Sequence, residues 1–241
     1  KESILISEFL RVAPNEFQQM EYFDILVKMQ HYGLPTRLLD TTLNPLVALF
    51  FACQGDKQKF KDGSVALIPN LPVFKPDSSA ISLIMKYLFE YSGYKLDIQE
   101  FTQDVITSKE LLSAHSMRYR SIEDVLHTLS KVPFYAVLPT LNNQRILNQD
   151  GAFFLFGMKV KNVEKSNNPG TFNKMYYEFG PIEYDNVVEK IWPKSKLLRI
   201  PSSKKEFLLE ELDYLGITKN RMFPELEYQS EYITNLIKKQ K

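Results

Sequence analysis

Gln30-His31-Tyr32-Gly33-Leu34-Pro35-Thr36-Arg37-Leu38-Leu39-Asp40, then Asn44-Pro45-Leu46-Val47-Ala48-Leu49-Phe50-Phe51-Ala52, is the stretch from which the rest of the chain can be read. Gly33 and Pro35 end a helix over 16–31, whose Phe17, Met20, Phe23, Ile25, Leu26 and Met29 recur at helical spacing after a Pro14-Asn15 start. Thr36 to Asp40 reads as a strand or its approach. Asn44 then caps a second helix, Leu46 to Cys53, with Pro45 in its first turn. That helix is apolar nearly all round, which predicts a central, buried element.

The connection between the two helices packs donors and acceptors of every type into a few residues. Arg37 can fork onto a phosphate or a carboxylate. His31 can act as acid, base or neutral donor. Asp40 can orient Arg37 or His31, or accept a ribose hydroxyl, while Gln30 and Thr36 supply neutral hydrogen bonds. The same residues also suit a buried polar network that fixes the turn, with Arg37 and Asp40 paired internally. A second polar stretch, Asn143 to Gly151, holds Arg145 and Gln149 four apart. If extended, these share one face; a hairpin-like loop with solvated amides is the alternative.

Outward from these segments, strands are expected at Gly63–Pro69, Phe134–Leu138, Ala152–Met158 and Lys196–Ile200. Several helices are expected over 78–131, with breaks near Ser92-Gly93 and Ser108 and a helix entry at Ser121-Ile122-Glu123-Asp124. Residues 162–174 read as an exposed loop. An amphipathic helix over Lys204–Leu215 stops at Gly216, and a last helix is expected from Pro224 to Lys239. Helices and strands mix without a regular βαβ alternation. The class expected is therefore α+β, a mixed, mainly antiparallel sheet packed with several helices, in a single domain over 1–241.

Composition excludes several classes. A 44% apolar, 24% charged chain with 17 Phe and 13 Tyr builds a core rather than a disordered tail. Net charge is +1, so no bulk field selects nucleic acid or an anionic membrane. The lysine clusters at Lys57, Lys59 and Lys61, at Lys194, Lys196 and Arg199, and at Lys238, Lys239 and Lys241 read as solvated faces and a frayed end. Cys53 is the single cysteine, which rules out an intrachain disulfide and suits a cytoplasmic protein. It sits in the apolar helix, as an inert core thiol does. His31, His115 and His127 lack metal-ligand spacing, so no metal is expected. His115 and His127 read as helix-surface or packing residues. Met117-Arg118-Tyr119-Arg120 reads as a helix end. There is no Gly-x-Gly-x-x-Gly, no P-loop and no Gly-x-Ser-x-Gly. No apolar run approaches the roughly 20 residues that span a bilayer. Lys1 is not an initiator Met, so a preceding stretch is expected.

The run Gln30–Asp40 with Asn44–Ala52 resembles the signature of FRG-domain proteins. Arg145-Ile146-x-x-Gln149-x-Gly151-x-Phe153 looks like that family's later motif. Leu215-Gly216-Ile217 with Met222-Phe223-Pro224-Glu225-Leu226 looks like its C-terminal one. Two departures stand out. Thr41 replaces the Trp usual after the Asp, and the family's Phe/Tyr-Arg-Gly tripeptide is absent, which places it before Lys1. The segment 78–131 then reads as a helical insert.

The resemblance implies function only through the order of elements, which is similar to that of ADP-ribosyltransferases. On that likeness the chain handles NAD or another nucleotide as an effector in toxin or phage-defence systems. NAD would be a substrate rather than a resident cofactor. His31 and Gln149 would fall at catalytic positions, and Gln30, Thr36, Arg37, Asp40, Asn44 and Arg145 would contact the ligand. Cleaving a glycosidic bond builds oxocarbenium character, which a carboxylate stabilises better than the neutral Gln149 amide. Asp150 would point to the other strand face, and Glu178 or Glu183 would have to approach from the next segment. The rival expectation is a non-enzymatic module that binds a protein or nucleic acid.

Overall fold

A computed structural model of the chain describes residues 2–55, 60–91, 95–108, 119–165, 174–181 and 196–225. In chain order the helices are α1 (Glu2–Val12), α2 (Tyr22–His31), α3 (Pro45–Cys53), α4 (Ser79–Lys86), α5 (Ile98–Thr107), α6 (Ile122–Leu126), α7 (Gln144–Asn148), α8 (Lys205–Tyr214) and α9 (Lys219–Met222). The strands are β1 (Leu38–Thr42), β2 (Gly63–Leu67), β3 (Val73–Phe74), β4 (Leu96–Asp97), β5 (Phe134–Val137), β6 (Gly151–Phe156), β7 (Met158–Lys165), β8 (Met175–Pro181) and β9 (Lys196–Ile200). The fold is α+β, with mixed and mostly antiparallel sheets. One sheet has the order β1-β6-β5-β3, with β3 and β5 parallel. β2 and β9 form an antiparallel pair, and β4-β8-β7 an antiparallel three-stranded sheet.

The chain divides into two compact units, and the division falls within β1 and β6. The first comprises residues 1–39, 72–140 and 154–191; the second comprises 40–71, 141–153 and 192–241.

The first unit has a core of fully buried side chains, among them Phe23, Leu26, Met29, Ile81, Leu83, Ile84, Leu129 and Leu155. Two wide π turns, Tyr87–Tyr91 and His127–Lys131, extend α4 and α6. Ser121 and Asp124 close a reciprocal capping box at the start of α6, each side chain accepting the other's backbone N–H, as the sequence of that entry predicts. Gly157 tolerates no side chain, because an added Cβ would strike the Val132 carbonyl. In the second unit, α3 and α8 pack through Val47, Phe50 and Leu212, joined by Ile217 and Met222. Gly63 lets β2 approach α3, since an added Cβ would meet the Ala52 carbonyl.

The structure corrects several local expectations. The helix expected over 16–31 is two elements: a 3₁₀ turn over Pro14–Phe17, then α2. Gln19 sits at φ 59°, a left-handed conformation that interrupts the helix between them. α3 is only half buried: Val47, Phe50 and Cys53 face inward, whereas Leu46 and Phe51 are exposed. Asn143–Gly151 is neither extended nor a hairpin loop, because Asn143 caps α7 there. The expected loop over 162–174 begins as strand, since β7 runs to Lys165. His127 is exposed on its helical turn, as expected, and Tyr119 is buried. Cys53 is buried and free, and burial pushes its thiol up despite the nearby Lys205. His115, Met117, Arg118, Lys57, Lys59, Lys194 and the last helix beyond Glu225 lie outside the described residues.

Asp97 caps α5, accepting from the backbone N–H of Gln99 (3.1 Å) and Glu100 (3.2 Å), and it pairs with Lys174 at 2.6 Å. Burial pushes its carboxyl up, but Lys174 and the two N–H groups outweigh that and hold it below its ordinary value. A depressed carboxyl adds stability that is full above the unfolded-state pKa and is lost as pH falls through the folded one. Asp97→Ala should therefore cost about 1 kcal/mol at neutral pH. The difference from wild type should shrink on acidification below the ordinary carboxylate range, as read by urea unfolding at a series of pH values.

Candidate functional site

In the first unit the polar connection is built around Arg37. Its Nη2 and Nε donate to Glu2 Oε2 at 2.6 and 3.0 Å, and Nε also reaches Oε1 at 3.2 Å. The Arg37 backbone N–H donates to the same Oε1 at 3.1 Å, and Nη1 reaches the Phe156 carbonyl at 3.5 Å. Phe156 N–H in turn donates to the Arg37 carbonyl at 3.1 Å. The Arg37 side chain is 13% exposed and that of Glu2 24%. A guanidinium so enclosed needs a carboxylate, and the first turn of α1 provides it. Sequence reading missed Glu2 because it lies 35 positions from Arg37 and carries no local signal of its role. Beside this pair, burial pushes the Tyr87 phenol up to about 12; Arg37 pulls it down, and Glu178 and Glu2 push it further up.

Gln30 and Thr36 lie in the same unit. Thr36 Oγ1 donates to Gln30 Oε1 in a short hydrogen bond and accepts from Leu38 N–H at 3.2 Å. These bonds close the turn in which Gly33 takes φ 85°, a value that favours glycine. The half-buried His31 ring meets Tyr32 edge-on at 5.5 Å, and Tyr32 is 61% exposed.

The remaining nominated residues belong to the second unit. Thr42 and Asn44, at the exit of β1, lock onto the end of α7. Thr42 Oγ1 donates to the Gln149 carbonyl (2.6 Å) and accepts from Asn44 N–H (3.0 Å). Asn44 Oδ1 caps α3 by accepting from Leu46 N–H, while Nδ2 donates to Asp150 Oδ2, both at 3.0 Å. Asp150 sits at φ 45°, a left-handed conformation that aspartate bears better than most residues. Its carbonyl accepts from Leu43 N–H at 3.0 Å. The Gln149 amide donates to the Met222 carbonyl at 2.7 Å, and Asn148 donates to that of Arg221 at 2.7 Å. Arg145 pairs with Glu225 at 3.4 Å and lies over the Phe223 ring at 5.0 Å. Arg145 and Gln149 thus share one end of the unit through a helical turn, and each reaches the segment around α9. Asp40 is exposed on β1.

Among the described residues, no group of three or more His, Cys, Asp and Glu could hold a metal ion, and no helix is long and apolar enough to cross a membrane.

Residues 1–61 match the family model of the FRG domain. The match takes in Glu2, the run Gln30–Asp40 and the capped α3, and it bears out the FRG resemblance read from those residues. The motifs around Arg145 and Leu215 lie outside the matched residues. No curated protein and no solved structure matches the chain.

Arg37→Ala should leave the Glu2 carboxylate without its cation and cost about 3 kcal/mol. A double-mutant cycle with Glu2→Gln, followed by urea unfolding, should return a favourable coupling energy. Additive effects would mean that the pair holds nothing. Gln149→Glu should destabilise as well, because it replaces the donor facing the Met222 carbonyl with an acceptor, at a cost of about 1–3 kcal/mol.

Proposed function

We propose that the chain is a non-enzymatic module that binds another protein through its second unit. One observation carries the reading: α8 exposes two aromatic side chains one heptad apart, Phe207 at 57% and Tyr214 at 88%. Residues seven apart lie on the same helix face. A soluble helix does not gain by showing water two aromatic rings on one stripe, and aromatics are the residues that anchor protein interfaces. Glu206, Glu210, Glu211 and Asp213 are exposed around them. That acidic setting repels phosphate backbones and attracts a basic rim, so it favours a protein partner over a nucleic acid. In the same unit α3 leaves Leu46 and Phe51 exposed, and Leu43 just before it is 66% exposed.

The polar cluster of that unit supports the same reading from the other side. The Gln149 amide is engaged with Met222, and Arg145 with Glu225 and Phe223, so both side chains already serve the fold.

A second reading rests on Arg37. Its fork holds the Glu2 carboxylate from two sides, and that geometry also suits a phosphate oxygen. On this reading the chain handles NAD or another nucleotide in the manner of an ADP-ribosyltransferase, with NAD as a substrate, Arg37 on a phosphate, His31 beside it and Glu2 as the group the ligand displaces.

Two measurements separate the readings. A Phe207→Ser/Tyr214→Ser variant should fold with an unchanged unfolding midpoint yet lose a protein partner that the complete wild-type chain captures from host extract. Retention of that partner by the variant would remove the first reading. Nicotinamide release from NAD by the wild-type chain, or a thermal shift on adding NAD, would establish the second; the first reading expects neither.

A further inference from the structure

In the second unit β2 and β9 form a two-stranded antiparallel ribbon, in which Gly63 stands opposite Ile200, Val65 opposite Leu198 and Leu67 opposite Lys196. Side chains alternate along a strand, so Val65, Leu198 and Ile200 share one face while Leu197 and Arg199 take the other. On the first face Val65 is 7% exposed, but Leu198 beside it is 39% exposed. An apolar face that is buried on β2 thus runs out into water on β9. On the second face Leu197 is 66% exposed. Among the described residues no strand pairs with the other edge of β9.

A strand edge offers its N–H and C=O groups to any strand that can align with it, and folded proteins guard such edges with charge. β9 is thinly guarded. Arg199 is engaged by Asp62, which offsets its charge: Nε donates to Asp62 Oδ2 at 2.6 Å, and Ser202 N–H donates to Oδ1 of the same carboxylate at 2.8 Å. Lys196 stands at the first position of the strand, and Leu197 and Leu198 lie between the two cations. The chain's net charge of +1 gives two copies little mutual repulsion.

We propose that β9 is a self-association surface, through which two copies of the chain pair antiparallel about a two-fold axis at Leu198 and join their ribbons into one sheet of order β2-β9-β9-β2. The order of residues along the strand selects a second copy as the occupant. Opposite residues must share a face, so a two-fold axis perpendicular to the sheet passes through a residue set against itself. With the axis at Leu198 all five residues of β9 overlap. Leu198 meets its own copy, Leu197 meets the aliphatic stem of the second copy's Arg199, and Lys196 meets its Ile200, so no like charges stand opposite. With the axis at Arg199 the two guanidinium groups would oppose each other, and Pro201, which has no N–H, would enter the ladder. With the axis at Leu197, Ile200 would find no partner within β9. The register at Leu198 also sets the two Leu198 side chains together beside Val65, which continues the apolar face across the joined edges.

Sedimentation equilibrium of the complete protein across the micromolar range tests this. A monomer–dimer equilibrium is expected. Leu198→Lys, which sets two ammonium groups opposite each other, should raise the dimer dissociation constant about tenfold or more. Leu198→Cys should link two copies through a disulfide under mild oxidation, because residues directly opposite in an antiparallel pair have Cα atoms about 4.5–5.5 Å apart, within disulfide reach. The wild type, whose one thiol is buried at Cys53, is the control that should not cross-link. A wild-type chain that stays monomeric, a dimer that survives Leu198→Lys undiminished, or a Leu198→Cys chain that does not cross-link would each overturn the proposal. Should Leu198→Lys fail to fold, the wild-type equilibrium and the Leu198→Cys cross-link decide.

Discussion

The guanidinium of Arg37 needs a carboxylate, and the first unit is arranged to provide one. A cation this enclosed cannot keep its hydration, so its donors must be met by the protein. Glu2 meets them from the first turn of α1, and the Phe156 carbonyl from the end of β6. Because the Arg37 backbone N–H also donates to the Glu2 carboxylate and its carbonyl accepts from Phe156 N–H, its position fixes the entry of β1 as well as its own side chain. The turn before it is closed by Gln30 and Thr36, and its sharpness rests on Gly33. The residues that look most like a ligand-binding constellation are thus tied to one another and to α1 by ordinary demands of hydrogen bonding.

The second unit repeats the pattern at the other end of β1. Thr42, Asn44 and Asp150 share a set of hydrogen bonds that serve a helix cap and a strand exit, and one side-chain bond from Asn44 to Asp150 holds the left-handed bend. Gln149 and Asn148 hold the carbonyls of Met222 and Arg221. Side chains bound to backbone in this way are costly to withdraw for chemistry, since each leaves an unmet group behind. The exposed apolar side chains of α3 and α8 hold no backbone group in this way.

Much of the local architecture was legible. Asn44 with Pro45 announced α3, Ser121 with Asp124 announced α6, and Gly216, at φ 77°, ended α8 where the residue type demands a stop. The strands dense in aromatic and branched residues fell where β5 and β6 lie. The errors share a cause. Periodicity carried one helix through Gln19, although a single left-handed residue breaks it. The apolar face of α3 suggested complete burial, but composition cannot say how many sides of a helix find a neighbour. Asn143–Gly151 looked like a loop because five helical residues give too short a pattern to register.

The sequence by itself determined what depends on near neighbours along the chain: helix caps, turn glycines, the aromatic and branched runs that became β5 and β6, and the match of residues 1–61 to the FRG family model. Only the tertiary structure decided which distant group each polar side chain meets. Glu2 reaches Arg37 across 35 positions, and Gln149 reaches Met222 across 73. Caps and turns are set by backbone torsions a few residues apart, so they leave a mark in the sequence. A hydrogen bond or ion pair between distant segments depends on how the whole chain packs, and nothing in the residue itself records its partner.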